Sequence, residues 1–328
     1  MRVAIAGAGV SGSYLASCLA EKGISVDLYD LPHQNTCSIS PCAWMATREI
    51  VPLIRSAGLD PVRYILNRFS SALFQGREFG VELMTIDKPA LIRDLRGDIP
   101  VRYGSIDPGE YDRVIDATGT ARTFLPPIAD DKLVPCIQYR GTTENIRAIP
   151  EIRCVYGGYA WSFPLGDGRC HVGCLSHAGD PSLFIKDSGL LNGMTTECGC
   201  RSQLRVTSPA GAHPLVSGNI WGIGEAIGCV YPLLGDGIVP ALRSVGLILD
   251  FWDDPEVYRR GVLSAFSPMH AEYNLLAALN TGRRPGLKDL LGMNVSRLRV
   301  QATPVKALEA YKDAVSVWSG RPGKERIF

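Results

Sequence analysis

Residues 1–30 read MRVAIAGAGVSGSYLASCLAEKGISVDLYD and predict a strand, a glycine-rich turn, a helix and a second strand, in that order. The apolar run before the glycines is typical of a buried parallel strand. Gly7, Gly9 and Gly12 follow in the spacing G-x-G-x-x-G, and a helix is predicted from about Val10 to Lys22. This arrangement indicates a dinucleotide-binding βαβ unit.

The residues of this turn each suit a different contact. Gly7 permits a tight turn, Gly9 lets the backbone approach a pyrophosphate, and Gly12 allows the helix to pack closely on the strand. Ser11 lies in the first helical turn, where free N–H groups and the helix dipole favour phosphates. Asp30 ends the second strand, where its carboxylate can bind both ribose hydroxyls.

Composition limits the classes of function. The chain has 328 residues, of which 46% are apolar and 20% charged, and this balance is typical of a globular protein. Its formal net charge of +1 gives no large basic surface, so nucleic acid is not an expected partner. No secretory signal and no bilayer-length apolar run is present. We expect a cytoplasmic protein, and a peripheral contact with a membrane is compatible with the sequence.

Ten cysteines are present without any C-x-x-C pair. Cys198 and Cys200, like Cys170 and Cys174, lack the paired spacing of zinc or iron–sulfur sites. We therefore expect free thiols and no metal.

Two further stretches resemble the later motifs of FAD-dependent oxidoreductases. YDRVIDATGTAR (111–122) is similar to their second motif, which implies that Thr118 and Gly119 pass near the dinucleotide. GNIWGIGEAIGCVYPLLGDGIVPALRSVG (218–246) is similar to their third motif, with Glu225 where the family normally has Asp. The resemblance implies that FAD is the cofactor. By the same resemblance, the third motif contributes these contacts: Glu225, Pro232, Gly235, Asp236, Gly237 and Ile238.

The middle of the chain contains short β-like runs separated by turn residues, a pattern typical of an antiparallel sheet. The arrangement resembles the p-hydroxybenzoate-hydroxylase type of flavoprotein. We therefore predict an α/β fold with a Rossmann-like FAD-binding domain formed by residues 1–122 and 205–250. A substrate-binding antiparallel β-sheet domain is predicted at 123–204, and a short helical C-terminal part at 251–328.

The stretch YAWSFP (159–164) gives the most specific functional signal. In a strand its rings Tyr159, Trp161 and Phe163 point to one face. The stretch matches the Y-x-W-x-F-P pattern of the geranylgeranyl reductase family, and the resemblance implies that these rings line a tunnel for an isoprenoid near the flavin. Ordinary core packing is the alternative.

Four other residues are candidates by placement or by resemblance. SPCAWMAT (40–47) resembles a cysteine-containing loop close to the flavin in these reductases, with Cys42 as the cysteine and Trp44 as a residue that narrows the substrate pocket. Cys42 and Tyr231 are candidate proton sources, with bulk water as the alternative. The resemblance also implies that Lys88 packs beside the FAD.

The resemblance implies a reductase of carbon–carbon double bonds in a geranylgeranyl-type isoprenoid or lipid, by hydride transfer from N5 of reduced FAD. The absence of a second G-x-G-x-x-G indicates an external electron donor, either NAD(P)H or a ferredoxin-like protein. Two alternatives remain open: an FAD-dependent aromatic monooxygenase of the same fold, and a flavin-bearing electron carrier without an organic substrate.

Overall fold

Two β-sheets of six and eight strands form the frame of the protein in a computed structural model, which describes residues 1–32, 43–144, 148–281, 300–301 and 303–320. The first sheet has the order β13-β14-β7-β1-β2-β6 and is parallel except for the β13–β14 pair. Its strands are β1 (Arg2–Ala6), β2 (Ser25–Asp30), β6 (Val101–Tyr103), β7 (Arg113–Asp116), β13 (Val216–Ser217) and β14 (Ile220–Gly222).

The predicted βαβ unit is confirmed. Helix α1 (Val10–Glu21) connects β1 to β2, which pair in parallel. The helix ends where Gly23 adopts a positive φ of 74°, a backbone conformation that glycine accepts without steric cost. Because β1, β7 and β14 run parallel, their carboxyl ends meet at one edge of the sheet, and the loops that carry the three motifs come together there.

The second sheet has the order β12-β8-β11-β10-β9-β4-β5-β3, and all neighbours are antiparallel except β9 and β4. Its strands are β3 (Met45–Thr47), β4 (Ile65–Phe74), β5 (Arg77–Ile86), β8 (Leu133–Thr143), β9 (Glu151–Val155), β10 (Gly158–Gly166), β11 (Arg169–Ser176) and β12 (Met194–Arg205).

This sheet extends beyond the predicted insertion at 123–204. Strands β8 to β12 come from the insertion, and β12 ends one residue beyond it at Arg205. Strands β3, β4 and β5 come from residues 45–86. The hairpin of β4 and β5 pairs with β9 through Leu73 and Phe74, so it covers an edge that β9 would otherwise leave open. A pairing between segments so distant in sequence leaves no local pattern from which it could be predicted.

The other α-helices in the described parts of the chain are α2 (Ile50–Ser56), α3 (Lys88–Arg96), α4 (Pro181–Asp187), α5 (Ile238–Asp250), α6 (Pro255–Ala265), α7 (Ser267–Asn280) and α8 (Pro304–Trp318). The last three confirm helices in the C-terminal part. All of these last three have proline in the first turn, where its missing N–H costs no hydrogen bond. No helix among the described residues is long and apolar enough to cross a membrane.

Candidate active site

A cavity of about 1680 Å³ begins at the carboxyl edge of the first sheet and continues along the second sheet to helices α7 and α8. Pockets for drug-sized ligands occupy roughly 300–1,000 Å³. The cavity therefore has room for more than one such ligand.

The glycine turn after β1 is shaped by close approaches of the backbone. Gly7 has a φ of 103°, and a Cβ added there would lie 2.3 Å from the carbonyl oxygen of Ala117. A Cβ on Gly12 would lie 1.9 Å from the carbonyl oxygen of Gly7. Gly9 differs, because no atom lies within 4 Å of an added Cβ and the residue lines the cavity. The turn is thus closed on its protein side and open towards the cavity.

The N-terminus of α1 also faces this opening. Gly9 is its N-cap and makes no side-chain cap, whereas Asp180 and Asp254 cap α4 and α6 with their own carboxylates. Ser11 lies at the cavity wall. First-turn N–H groups without a side-chain cap can bind a phosphate.

Asp30 and the loop after β7 form neighbouring parts of the wall. The Asp30 carboxylate accepts a hydrogen bond of 2.8 Å from the Leu31 N–H. Thr118 and Gly119 also line the cavity. The fully buried Asp116 holds their loop, because its carboxylate accepts hydrogen bonds from the N–H and hydroxyl of Thr118 at 3.1 and 2.6 Å. Asp116 belongs to the second motif, but its positioning role was missed from the sequence.

Arg205 joins two of the motif loops, and sequence reasoning missed it as well. It is 2% exposed, and its guanidinium donates hydrogen bonds to the carbonyl oxygens of Gly119 and Glu225 at 3.0 and 2.8 Å. The same group forms an ion pair with Asp131 at 2.9 Å. The Glu225 carboxylate accepts a hydrogen bond of 2.8 Å from the Arg205 backbone N–H. Burial raises the pKa of Glu225, while Arg205 acts in the opposite direction.

The N-terminus of α5 contributes a second uncapped helix end. Gly235, Asp236, Gly237 and Ile238 line the cavity, and the N-cap Gly237 makes no side-chain cap. A hydrogen bond from the Gly235 N–H to the Tyr231 carbonyl oxygen, at 2.9 Å, closes the preceding turn.

The structure does not place Tyr231 or Pro232 at the cavity wall. Tyr231 is 2% exposed and packs in the hydrophobic core of the first sheet with Ile223 and Cys229. The prediction of Tyr231 as a proton source is therefore not supported by its position. Cys42, the other predicted source, lies outside the described residues.

Tyr159, Trp161 and Phe163 form one face of β10, here called the aromatic wall. Adjacent ring centroids lie 5.8 and 6.2 Å apart, and each residue is 7% exposed. The rings pack against Leu175 and Trp318, and they also line the cavity. The two interpretations of this stretch, core packing and a pocket wall, therefore both describe it.

Trp44 occupies a different place from the one predicted. Its ring lies edge-on to His171, with centroids 4.7 Å apart, and lines a second pocket of about 320 Å³ with Leu66 and Arg140. Its neighbours Ala43 and Met45 line the main cavity instead. Trp44 has a positive φ of 47°, and the Trp44 side chain does not narrow the main cavity.

Lys88 begins helix α3 and lines the cavity together with Arg93 and Arg96 of the same helix. These cations give the wall near the glycine turn a positive character that suits an anionic ligand. The described residues contain no group of three or more His, Cys, Asp or Glu side chains that could hold a metal ion. The eight described cysteines are free.

The far part of the cavity, here called the apolar arm, lies between the second sheet and the C-terminal helices. Its walls are Ala72, Phe74, Phe79 and Val81 of β4 and β5, Leu275 and Leu279 of α7, and Ala310 and Ala314 of α8. An ion pair between Arg77 of β5 and Asp313 joins helix α8 to the sheet. The Trp318 indole N–H donates to Asn280 Oδ1 at 3.1 Å and joins α8 to α7.

Comparisons with known proteins place this geometry in context. No protein-family model matches the sequence. An uncharacterized protein of Methanocaldococcus jannaschii is 26% identical over 306 aligned positions, which cover 76% of this chain and 83% of the relative. The menaquinone reductase of Mycobacterium tuberculosis is 35% identical over 116 residues, which cover 32% of this chain and 28% of that protein.

Solved structures share the fold at low sequence identity. A geranylgeranyl bacteriochlorophyll reductase-like protein from Thermoplasma acidophilum superposes with a TM-score of 0.70 and 14% identity, over 98% of this chain and 96% of that one. CmlS, a flavin-dependent halogenase, gives a TM-score of 0.61 with 14% identity, over 95% and 70% of the two chains. PqsL from Pseudomonas aeruginosa, a probable FAD-dependent monooxygenase, gives 0.61 with 15% identity over 89% and 99%. The chain thus has the fold of flavin-dependent enzymes.

Proposed function

We propose that this chain is an FAD-dependent oxidoreductase that reduces carbon–carbon double bonds of an isoprenoid lipid. The observation that carries the proposal is one cavity that joins the glycine turn, the aromatic wall and the apolar arm. A dinucleotide at one end and an alkyl chain at the other would meet beside the N-terminus of α5.

The residues present fit FAD. Gly9 leaves open space for a pyrophosphate, two helix N-termini without side-chain caps face the cavity, and Asp30 can accept hydrogen bonds from a ribose. The adenosine and pyrophosphate part of FAD would be held by Gly7, Gly9, Ser11, Asp30 and Thr118. The flavin would be faced by residues Gly235 to Ile238. When bound, FAD supplies two-electron hydride chemistry.

The chain's own residues would bind the substrate and exclude water. The apolar arm and the aromatic wall offer apolar surface, and each buried methylene of a ligand contributes about 0.8 kcal/mol. The α5 N-terminus carries a partial positive charge of about half a unit, which stabilises negative charge that develops beside it.

The names of two similar proteins support a reductase of this kind. One is described as geranylgeranyl bacteriochlorophyll reductase-like and the other as a menaquinone reductase, and a geranylgeranyl group is an isoprenoid. An aromatic monooxygenase is the second candidate, since PqsL shares the fold. An electron carrier without a substrate is less consistent with a cavity of this size. The reductant would be NAD(P)H or a ferredoxin-like protein.

The test is anaerobic photoreduction of the flavin-loaded protein, followed by geranylgeraniol in detergent while flavin absorbance is recorded. Reoxidation of the flavin with a gain of two mass units in the alcohol is the expected result. A flavin that stays reduced until air is admitted, followed by oxygen insertion into an aromatic compound, would favour the monooxygenase. Failure of the protein to load FAD would refute the cofactor as well.

A further inference from the structure

The hydroxyl of Tyr159 lies at the junction of the two halves of the cavity. Its ring belongs to the aromatic wall, and its oxygen lies 3.3 Å from the position that a Cβ on Gly235 would occupy. Gly235 precedes α5, whose first residues line the same cavity. The hydroxyl therefore lies between the substrate side and the turn proposed to face the flavin.

This hydroxyl makes no hydrogen bond to any residue in the part of the chain that the structure describes. Because Tyr159 lines the cavity, a ligand bound there can accept a hydrogen bond or a proton from this hydroxyl. Tyr231, by contrast, is packed in the core of the first sheet.

We propose that Tyr159 is a catalytic residue that delivers the proton in the reduction of the double bond; this role rests on the proposed function. The carbon–carbon π bond breaks as a hydride from reduced flavin forms one C–H bond and the Tyr159 proton forms the other. The alkene gains two electrons and the flavin loses two. The phenolate left on Tyr159 then regains a proton from water.

The surroundings keep the hydroxyl protonated until that step. Burial raises the pKa of Tyr159 well above its ordinary value, and the thiols of Cys136 and Cys174 and the carboxylates of Asp236 and Glu272 raise it further. Tyr159 is therefore a donor and not a base at neutral pH.

The experiment repeats the anaerobic reoxidation with geranylgeraniol in D2O, using the full chain loaded with FAD. Tyr159→Phe keeps the ring and removes only the hydroxyl, while Tyr231→Phe tests the buried core hydroxyl. Tyr156→Phe is the matched control, because Tyr156 is half-exposed and lies outside the cavity. Flavin absorbance reports loading, the rate of reoxidation reports chemistry, and NMR locates the deuterium in the product.

We expect Tyr159→Phe to load FAD normally, to slow reoxidation about 100-fold at unchanged substrate affinity, and to lose the single-face placement of deuterium. Fluorotyrosine at position 159, which keeps the ring and lowers the pKa of its hydroxyl, should change the rate in step with acidity. Retention of rate and stereochemistry in Tyr159→Phe, or their loss in Tyr231→Phe instead, would overturn the proposal. A wild-type protein that does not react at all would refute the proposed function, and this role with it.

Discussion

The indole of Trp161 lies directly on the backbone of Gly173 in the neighbouring strand. A Cβ added at Gly173 would be 2.2 Å from Cζ2 of Trp161. The two residues are cross-strand partners in the β10–β11 pair, so the position of the aromatic wall depends on the absence of a side chain at 173.

Gly173→Ala should therefore push the Trp161 ring towards the cavity. Overpacking of this kind costs about 1–3 kcal/mol of unfolding free energy, and we expect weaker binding of geranylgeraniol with unchanged binding of FAD. Urea unfolding and titration of the two ligands measure both effects. Gly246→Ala is the control, because Gly246 is exposed in α5 with open space around it, and it should be stabilised by up to about 1 kcal/mol. Equal effects of the two substitutions would contradict the packing argument.

Gly9→Ala and Gly12→Ala should separate cofactor binding from folding. Gly9 has open space on its cavity side, so its alanine variant should fold with near wild-type stability and bind FAD at least tenfold more weakly. Gly12→Ala forces a Cβ onto the Gly7 carbonyl oxygen and should destabilise the apoprotein itself. Thermal unfolding without FAD, followed by FAD titration, gives the two quantities. A Gly9→Ala variant with wild-type FAD affinity would rule out a pyrophosphate at this turn.

Arg205→Met should cost about 3–5 kcal/mol of unfolding free energy, because it removes the ion pair with Asp131 and the hydrogen bonds from the guanidinium to the Gly119 and Glu225 carbonyl groups. The loss should extend to FAD affinity, since these carbonyl groups belong to the motif loops. Arg201→Met in the same strand is the matched control: its exposed ion pair with Asp180 should contribute no more than about 1 kcal/mol. Chemical denaturation of both variants measures the two losses of unfolding free energy, and equal losses would contradict this role of Arg205.

His171 should make stability depend on pH. Burial lowers its pKa from 6.5 to about 3, so between these values the unfolded chain binds a proton that the folded protein does not. The contribution of neutral His171 to the free energy of unfolding is therefore complete above pH 6.5. It falls by about 1.4 kcal/mol per pH unit below pH 6.5 and levels off near pH 3. The difference in unfolding free energy between wild type and His171→Gln, measured from pH 7 to 3.5, isolates it. For His177, whose pKa burial lowers to about 4, the corresponding curve should level off earlier. If the difference in unfolding free energy between wild type and His171→Gln did not change with pH, His171 would not be buried in its neutral form.

Ala314→Leu should shorten the apolar arm. Ala314 lines it from helix α8, and a larger side chain there would take the place of part of the ligand chain. We expect at least a tenfold loss of affinity for geranylgeraniol and a smaller loss for geraniol, measured by calorimetric titration. Lys312→Ala, on the exposed side of the same helix, should change neither affinity. Equal losses of affinity for both alcohols would show that the alkyl chain of the ligand does not extend into the apolar arm.

Local patterns predicted the βαβ unit, the helices of the C-terminal part and the alternation of the aromatic wall, because periodicity and turn residues act over a few neighbours. They could not show that Arg205 contacts Gly119, since the residues lie 86 positions apart and the contact forms only when two loops meet. Trp44 shows the other difficulty. Its residue type suggested a pocket wall, but a left-handed backbone turns the ring towards His171, and nothing in the sequence specifies that direction.

The pairing of β4 with β9 joins Leu73 to Glu151 and has a consequence for how the chain reaches this structure. Each sheet is assembled from segments that the other sheet interrupts, so neither can be completed before most of the polypeptide has been synthesised. Folding rates fall as contacts become less local. Refolding should therefore be slow, and a fragment ending before β9 should expose the edge of β4 that pairs with β9, which favours aggregation. A chimera that takes the second sheet from a relative would therefore have to include both residues 45–86 and residues 133–205 of that relative.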